Sequence, residues 1–530
     1  MRPQQVVPVA IPHSSPMTGT TSHTRRFGLG MLASLPNQLI TSAGQILLVP
    51  LFLVCWGQEM YGEWLTLAAA VGYLAVLDLG MQTHVVNRLN ASYTRGELAD
   101  YTRILHSSLF WSLLLAGTAS VIAIMVGLYA PLSEWFAFST ASSGVVPIVV
   151  TLLAAQIAIS VPSGIITGVY RTVGEMPRGV MLGNAQRVAR FGLTALVLVF
   201  GGGLASVAIA QLLPIALAML WALSDLRSRH LEIEFGLHKR DFRLALSQLR
   251  PSLLFFLVQG AMVITLQGSV LLVGLMFGVG AVAVFVSLRM LANLARQLAG
   301  IITNILWPEV TSLDAQGAKG KLREVHLFSV KATTLLACCA GVFLHFFGAD
   351  LVQLWTAGRL EYDAALMDAF ALLVALQTPW MTSMYLLLAS NQHQRLSAYY
   401  MTAALAGLGL AAIFAGPFGP AGVLYGIGLA ELAICGFTIP AMSCRSISQS
   451  YSMWLMQIFG RGVPVALLLY FATQWFATQL AFMNPIMRIA AALPFVSAIA
   501  FVLTFGLWLE RSERKRAREV VTRLIGKRSL

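Results

Sequence analysis

The stretch GQILLVPLFLVCWGQEMYGEWLTLAAAVGYLAVLDLG, Gly44–Gly80, holds two apolar runs divided by one short polar turn, Gln58–Gly62. A membrane-crossing helix needs about 20 mostly apolar residues. The runs at 30–56 and 61–83 each supply that length, so the stretch reads as a helical hairpin through a bilayer with its turn at one face.

The composition of the rest agrees. Charged side chains are 11% of the 530 residues and the AVILMFWYC set is 57%, with a mean hydropathy of +0.76. Soluble globular proteins carry roughly 25% charged residues, so three or four soluble domains, the length-based expectation at about 150 residues each, are excluded. The same figures exclude intrinsic disorder, collagen and a disulfide scaffold. Reading for further runs gives fourteen spans, at 30–56, 61–83, 105–130, 145–169, 179–200, 203–224, 252–277, 280–307, 325–348, 365–389, 396–416, 420–442, 461–479 and 487–509. The fold class expected is an all-α polytopic membrane protein.

Basic residues test that map. With the N-terminus inside, 31 of the 35 Lys and Arg fall in inside loops and tails, and only Arg359 and Arg488 lie outside. Lys and Arg concentrate on the cytoplasmic side of membrane proteins, and one missed span would invert every later loop. The net charge of +13 therefore reads as topology rather than as a nucleic-acid surface. Both termini are expected in the cytoplasm. The five cysteines, Cys55, Cys338, Cys339, Cys435 and Cys444, form no CxxC or Cys/His cluster, so neither zinc nor a disulfide framework is indicated. No cofactor is expected.

The chain divides into a disordered cytoplasmic tail (1–26), a first lobe of six spans (27–224), a cytoplasmic interfacial linker (225–250), a second lobe of six spans (251–442), two further spans (443–509) and a basic tail (510–530). The opening residues lack the apolar core of a cleavable signal peptide. The final segment, ERSERKRAREVVTRLIG, reads as a basic helix lying on anionic lipid. The lobes carry a faint repeat. Turn Gln58–Gly62 aligns with Gly278–Val282 at a shift of about 220 residues, and the loops Asn90–Glu97 and Val310–Lys319 then coincide. Six spans separate the copies, so both run in the same direction, as in lobes related by an axis along the membrane normal.

Several of these segments resemble a known family. Tyr61-Gly-Glu-Trp-Leu-Thr-Leu, Leu77-Asp-Leu-Gly80, Val86-Asn-Arg88 and Tyr93-Thr-Arg-Gly-Glu97 are similar to the second span and following loop of Wzx-type lipid-linked oligosaccharide flippases. Ser287-Leu-Arg289 and Trp307-Pro-Glu309 are similar to the eighth span and its exit. That family belongs to the MOP superfamily, with the MATE drug exporters and the lipid II flippase MurJ. The resemblance implies two six-helix lobes around a central cavity plus two C-terminal helices. The cavity would open alternately to each side and move an undecaprenyl-diphosphate-linked glycan outward for surface polysaccharide assembly. Implied partners are the lipid-linked glycan, membrane lipids and other polysaccharide-assembly proteins.

Two arginines lie where lipid should exclude them. Arg289 and Arg296 fall inside span 8, where an Arg costs on the order of 2.5–3.5 kcal/mol on insertion scales. Arg289 is nine residues from the outer start of the span, roughly 14 Å deep at 1.5 Å per residue. Positions 289, 293, 296, 300 and 304 share a helix face and read Arg, Asn, Arg, Gly, Asn. Arg289, Asn293, Arg296 and Asn304 are thus candidates for binding a diphosphate or acidic sugar through guanidinium forks. The alternative is an intramembrane ion pair or a carbonyl-bonded Arg. Glu431, about eleven residues into span 12, lies at a similar depth, where pairing with Arg289 and proton coupling are both open, as is a fixed structural pair. Asp78, in its Asp-Leu-Gly setting, is a second coupling candidate or a packing acid. Arg187 and Arg190 mark a cytoplasmic entrance to span 5, or its ordinary basic flank. His345 is expected near the outer face.

No P-loop, HExxH, GxSxG or strand-borne GxGxxG occurs, so the reading is a transporter and not an enzyme. A MATE-like ion-coupled antiporter would favour acids and aromatics over bare arginines. A membrane-embedded polymerase or ligase would need a large loop or an acidic cluster. The topology has a direct check. In a cysteine-free background, Gly358→Cys should react with an impermeant maleimide added to spheroplasts and Ser448→Cys should not; the reverse pattern would invert the map.

Overall fold

The computed structural model describes residues 20–74, 81–390, 394–509 and 514. All regular structure among them is helical. Hydrocarbon offers a bare backbone no hydrogen-bond partner, so a chain this apolar closes its amides on itself in helices. Ten segments are long and apolar enough to cross a membrane, which makes this a multi-pass membrane protein. Three of the ten are hinged doubles, and α6 (Met176–Val199) is a further membrane-length helix whose arginines lower its hydropathy. The total is about fourteen, as the sequence reading expects.

The hinges explain how such long helices form. α1 (Thr20–Gly72) and α8 (Phe242–Ala315) run for 53 and 74 residues, far more than one crossing, and each turns at a glycine. Gly57 has φ 73° and ψ 179°, and Gly278 has φ 79° and ψ 173°. A Cβ forbids that combination, so glycine alone supplies it. The two hinges are 221 residues apart, as are Gly96 and Gly317 in the next loops, while Gly201 and Gly419 are 218 apart, all with positive φ. The loops match in hydrogen bonds also: Gly96 N donates to Tyr93 O and Glu97 N to Ser92 O, where Gly317 N donates to Asp314 O and Ala318 N to Leu313 O. The faint repeat of the sequence is a repeat of backbone conformation.

After α1 the chain continues through α2 (Met81–Thr94), α3 (Leu98–Tyr129), the short α4 (Leu132–Trp135), α5 (Val145–Thr172), α6 and α7 (Leu204–Arg229), which complete the first lobe. The second lobe follows with α8, α9 (Lys319–Thr356), α10 (Ala364–Ala389), α11 (Gln394–Glu431), a π turn at Leu432–Gly436 and α12 (Phe437–Ser446). Beyond it, α13 (Tyr451–Leu455) leads through a π turn at Met456–Gly460 into α14 (Arg461–Gln479), and α15 (Pro485–Leu503) follows. α14 and α15 lie against α9, stack Phe476 on Phe495 at 3.8 Å and seat Trp508 on Gly462, with the Trp508 indole donating to Gln457 O at 2.9 Å.

Some boundaries differ from the sequence reading. α1 already begins at Thr20, within the segment read as a tail, and residues 242–250 of the expected linker belong to α8, because their mixed apolar pattern runs directly into the next span. The second span is described as helix only to Gly72, with a tighter turn at 73–74, and helix resumes at Met81. Asp78 lies outside the described residues. The basic tail does too, apart from Arg514.

The two lobes meet at the face opposite the basic loops. A Cβ on Gly62 would overlap the Val279 carbonyl oxygen, and the Gln58 side-chain amide donates to Gly280 O at 3.2 Å. Ten residues inward on each side, about 15 Å, Gly72 still abuts Gln267 and Gly268 abuts the Tyr73 hydroxyl. One apolar cluster joins the lobes here, with Phe52, Tyr61 and Trp64 packed among Val279, Val282 and Phe285. The clusters toward the basic face belong to single lobes, one around Tyr101 and Val169 and another around Trp380 and Tyr400. The structure is therefore sealed at the seam opposite the basic loops. Gly62→Ala should wedge that seam, raising the reactivity of a Gln58→Cys reporter toward an impermeant maleimide several-fold. Unchanged labelling would show that the seam does not depend on this contact.

Candidate functional site

Past the Gly278 hinge, α8 carries Arg289 and Arg296 into the protein. Arg289 is eleven residues beyond the hinge, roughly 16 Å from the outer turn. Its Nη1 donates to Leu266 O at 2.9 Å and lies 3.5 Å from Ser269 Oγ. Its guanidinium carbon stands 5.7 Å from the centroid of the Phe285 ring. These contacts brace the two arms of α8 against each other. Tyr61, from the first lobe, lies beside Ser287 and Arg289, so this arginine sits directly beneath the outer seam.

Arg296 is held differently. It is half-buried and lines a cavity of about 80 Å3 with Gly300, Thr303, Thr378, Thr382 and Tyr385. Its buried Nε has no hydrogen-bond partner among the described residues. The nearest opposite charge is Glu431, with no ion pair formed between them among the described residues. Glu431 is 2% exposed and accepts from Gln377 Nε2 at 2.5 Å. The pairing of Glu431 with Arg289 is thus replaced. The carboxylate looks toward Arg296, and Arg289 spends its donor on a backbone carbonyl across the hinge. The π turn at Leu432–Gly436 begins directly after Glu431. Such single-turn bulges are frequent at functional sites.

From the Arg296 cavity the polar surface continues toward the basic face. Thr303, Thr382 and Tyr385 also line a second void that reaches His326 and Ser329. His326 Nε2 is 3.1 Å from Ser383 Oγ, and Thr333 Oγ1 is 2.9 Å from Thr382 Oγ1. Hydroxyl-bearing residues on α9 and α10 therefore form a polar vein inside the second lobe. Asn293 is half-buried on the same helix, and the backbone of Asn304 is helical, but its side chain is outside the described residues.

In the first lobe, Arg187 and Arg190 lie eleven and fourteen residues into α6, roughly 16 and 21 Å from its basic-face end, well inside the helix. Arg187 Nη1 is 3.3 Å from Asn184 Oδ1, and Arg190 stands over the Phe191 ring at 5.3 Å. Neither has a carboxylate partner among the described residues. His345 pairs with Asp368 at 2.6 Å and with the Tyr470 hydroxyl at 3.3 Å, tying α9 to α10 and α14. Nearby, Arg488 pairs with Asp350 at 3.1 Å. Among the described residues no group of three His, Cys, Asp or Glu could hold a metal ion.

Sequence reasoning missed Glu63. It is fully buried in the Tyr61-Gly-Glu-Trp stretch and accepts from the amides of Ser139, Thr140 and Ala141 at 2.7, 2.7 and 2.9 Å, and from the Thr140 hydroxyl. One carboxylate thus closes the loop between α4 and α5 over the outer end of the second span. The signal available was an acid one residue past a span-opening turn; its partners, 76 to 78 residues away, had none.

The sequence matches no protein-family model and no curated relative. Solved structures do match, and the likeness is one of fold. The chain superposes on an inward-facing multidrug resistance MATE family transporter with a TM-score of 0.64 at 17% identity, covering 78% of this chain and 98% of that one. It superposes on lipid II flippase MurJ in an inward closed conformation with a TM-score of 0.68 at 12% identity, covering 89% and 98%. An outward-facing MATE family transporter superposes with a TM-score of 0.53 at 19% identity, covering 79% of this chain and 93% of that one.

Removing the buried carboxylate tests the outer cap. Glu63→Ala strands three amides and should lower stability by about 3 kcal/mol or more, seen as a lower melting temperature in detergent. An unchanged melting temperature would mean the loop is held by other contacts.

Proposed function

We propose that the chain is a bacterial inner-membrane transporter that flips an undecaprenyl-diphosphate-linked oligosaccharide from the cytoplasmic to the periplasmic leaflet. It works by alternating access, during surface polysaccharide assembly. The basic face is the cytoplasmic one, with both termini on it. The observation that carries the reading is Arg296, a half-buried arginine whose buried Nε has no hydrogen-bond partner among the described residues, on a cavity wall that Thr303, Thr378, Thr382 and Tyr385 also line. A bare, planar guanidinium suits a doubly charged acceptor such as a diphosphate, whose oxygens can take two of its N–H donors at once. It is a poor lining for a cationic drug.

In this reading Arg296 and Asn293 engage the head group, with Asn304 further along the face. Arg289 holds the hinge arms in register and joins the contact once the seam opens and Tyr61 withdraws. Glu431, one hydrogen bond from Gln377 and facing Arg296, is the coupling group, and Asp78 is a second candidate. Arg187 and Arg190 serve the cytoplasmic approach. The fold likeness to MATE transporters supports the second reading, an ion-coupled antiporter. It is weighed down by four intramembrane arginines.

Deleting the gene in its host separates the readings. Lipid-linked glycan should accumulate on the cytoplasmic side, and restoration should fail with Arg296→Ala and with Arg296→Lys at normal protein levels, because a point charge does not replace a fork. Glycan distribution unchanged, together with raised drug sensitivity, would overturn flipping in favour of the antiporter.

A further inference from the structure

One cavity belongs to neither the second lobe nor the seam. A crevice of about 410 Å3 lies between α5 and α6 on the basic half of the first lobe, within the size range of small-molecule sites. It extends from Arg171 at the end of α5 to Ser160, eleven residues deeper, roughly 16 Å. Glycines line both walls, Gly164 and Gly168 on α5, where they let Gln82 and Val86 of α2 pack close, and Gly179 and Gly183 on α6.

Its electrostatics are one-sided. The lining contains Arg171 and Arg187 and no Asp or Glu. The nearby carboxylates are paired outside the crevice: Asp225 accepts from Tyr170 at 2.7 Å and from Arg178 Nε and Nη2 at 2.8 and 2.5 Å, and Glu175 accepts from Arg229 Nη2 at 2.7 Å. The Asp225 cluster also pins α5, α6 and α7 together beneath the crevice, so its walls are set before a ligand arrives. Arg187 touches only the neutral Asn184 among the described residues, at 3.3 Å. At its depth, one turn either way, stand Gln186, Gln82, Ser160 and Ser163. A guanidinium without a counter-charge, ringed by amides and hydroxyls, is a seat for an oxyanion.

We infer that this crevice is a second anion site, binding a phosphate or diphosphate group with Arg187 at the seat and Arg171 at the mouth. The site lies in the opposite lobe from Arg296 and does not depend on the export reading. A lipid head group and a free anion share this chemistry; a free anion needs only the seat, and a lipid leaves its chains along the open side. Arg171, about 16 Å nearer the basic face, is too far to share one phosphate with Arg187 and acts on approach.

The test uses the purified full-length protein in neutral detergent and in nanodiscs. Inorganic pyrophosphate should raise the melting temperature in a saturable way, or phosphatidate should be retained over phosphatidylcholine in native mass spectra. Pyrophosphate binding identifies a free-anion seat, and phosphatidate retention without it identifies a lipid head-group seat. Arg187→Gln should weaken whichever is seen by about tenfold, the loss of one charge-assisted contact, while Arg359→Gln, at an exposed arginine away from both cavities, leaves it unchanged. Should Arg187→Gln fold poorly, Ser163→Val, which removes a hydroxyl from the seat, should weaken binding in the same direction. No binding of either probe, equal binding by wild type and the seat variants, or loss only with Arg296→Gln would overturn the site.

Discussion

The contact of two glycine turns organises this molecule. Gly57 and Gly278 each reverse a helix through a backbone conformation closed to other residues, and the segments that follow them press Gly62 against the carbonyl of Val279. Because each hinge joins two spans in one lobe, the seam fixes four membrane crossings at once. The apolar cluster of Phe52, Trp64, Val282 and Phe285 forms around it, and Glu63 caps it from outside. Away from the seam the lobes keep separate cores. Toward the basic face the lobes are still bridged by Ser42 Oγ, which donates to Gln297 Oε1 at 2.5 Å. Two bodies joined mainly at one end are mechanically suited to rocking, the motion by which repeat-built transporters expose a central site to alternate sides.

Charge is distributed to match. Arg187, Arg190, Arg289 and Arg296 all lie within helices of membrane length, and each carries an insertion cost of about 2.5–3.5 kcal/mol. Arg289 offsets its cost through Leu266 O and the face of Phe285, and Arg190 through Phe191. Arg187 and Arg296 do so least, and both line cavities. The two positions where structure compensates charge poorly are the two where a ligand would gain most from supplying the opposite charge.

Much of the architecture was legible in the sequence because a bilayer imposes simple rules. Apolar run length gave the spans, basic residues gave their parity, and turn Gln58–Gly62 against Gly278–Val282 exposed the repeat. The hinge conformation was hidden, since many glycines occur and only geometry distinguishes those with positive φ. The site was legible only as a face. That Arg289 bonds to Leu266, 23 residues earlier, follows from how the arms of α8 fold back, and no spacing encodes it. Glu431 was visible as a buried acid, but its neighbour depends on helix rotation, which brings Arg296 and Gln377 to it. Arg187 and Arg190 read as a flank because their own charge depresses the hydropathy of α6 and blurs its start at Met176.

Rocking about a glycine seam has one direct measurement. Spin labels at Asn90 and Gln316, exposed at the basic face of the two lobes, and at Ser142 and Phe418, exposed at the outer face, report the two openings separately by double electron–electron resonance in nanodiscs. The account requires a second population under turnover in which the first distance shortens as the second lengthens. Distances that stay fixed, or that lengthen together, would contradict it.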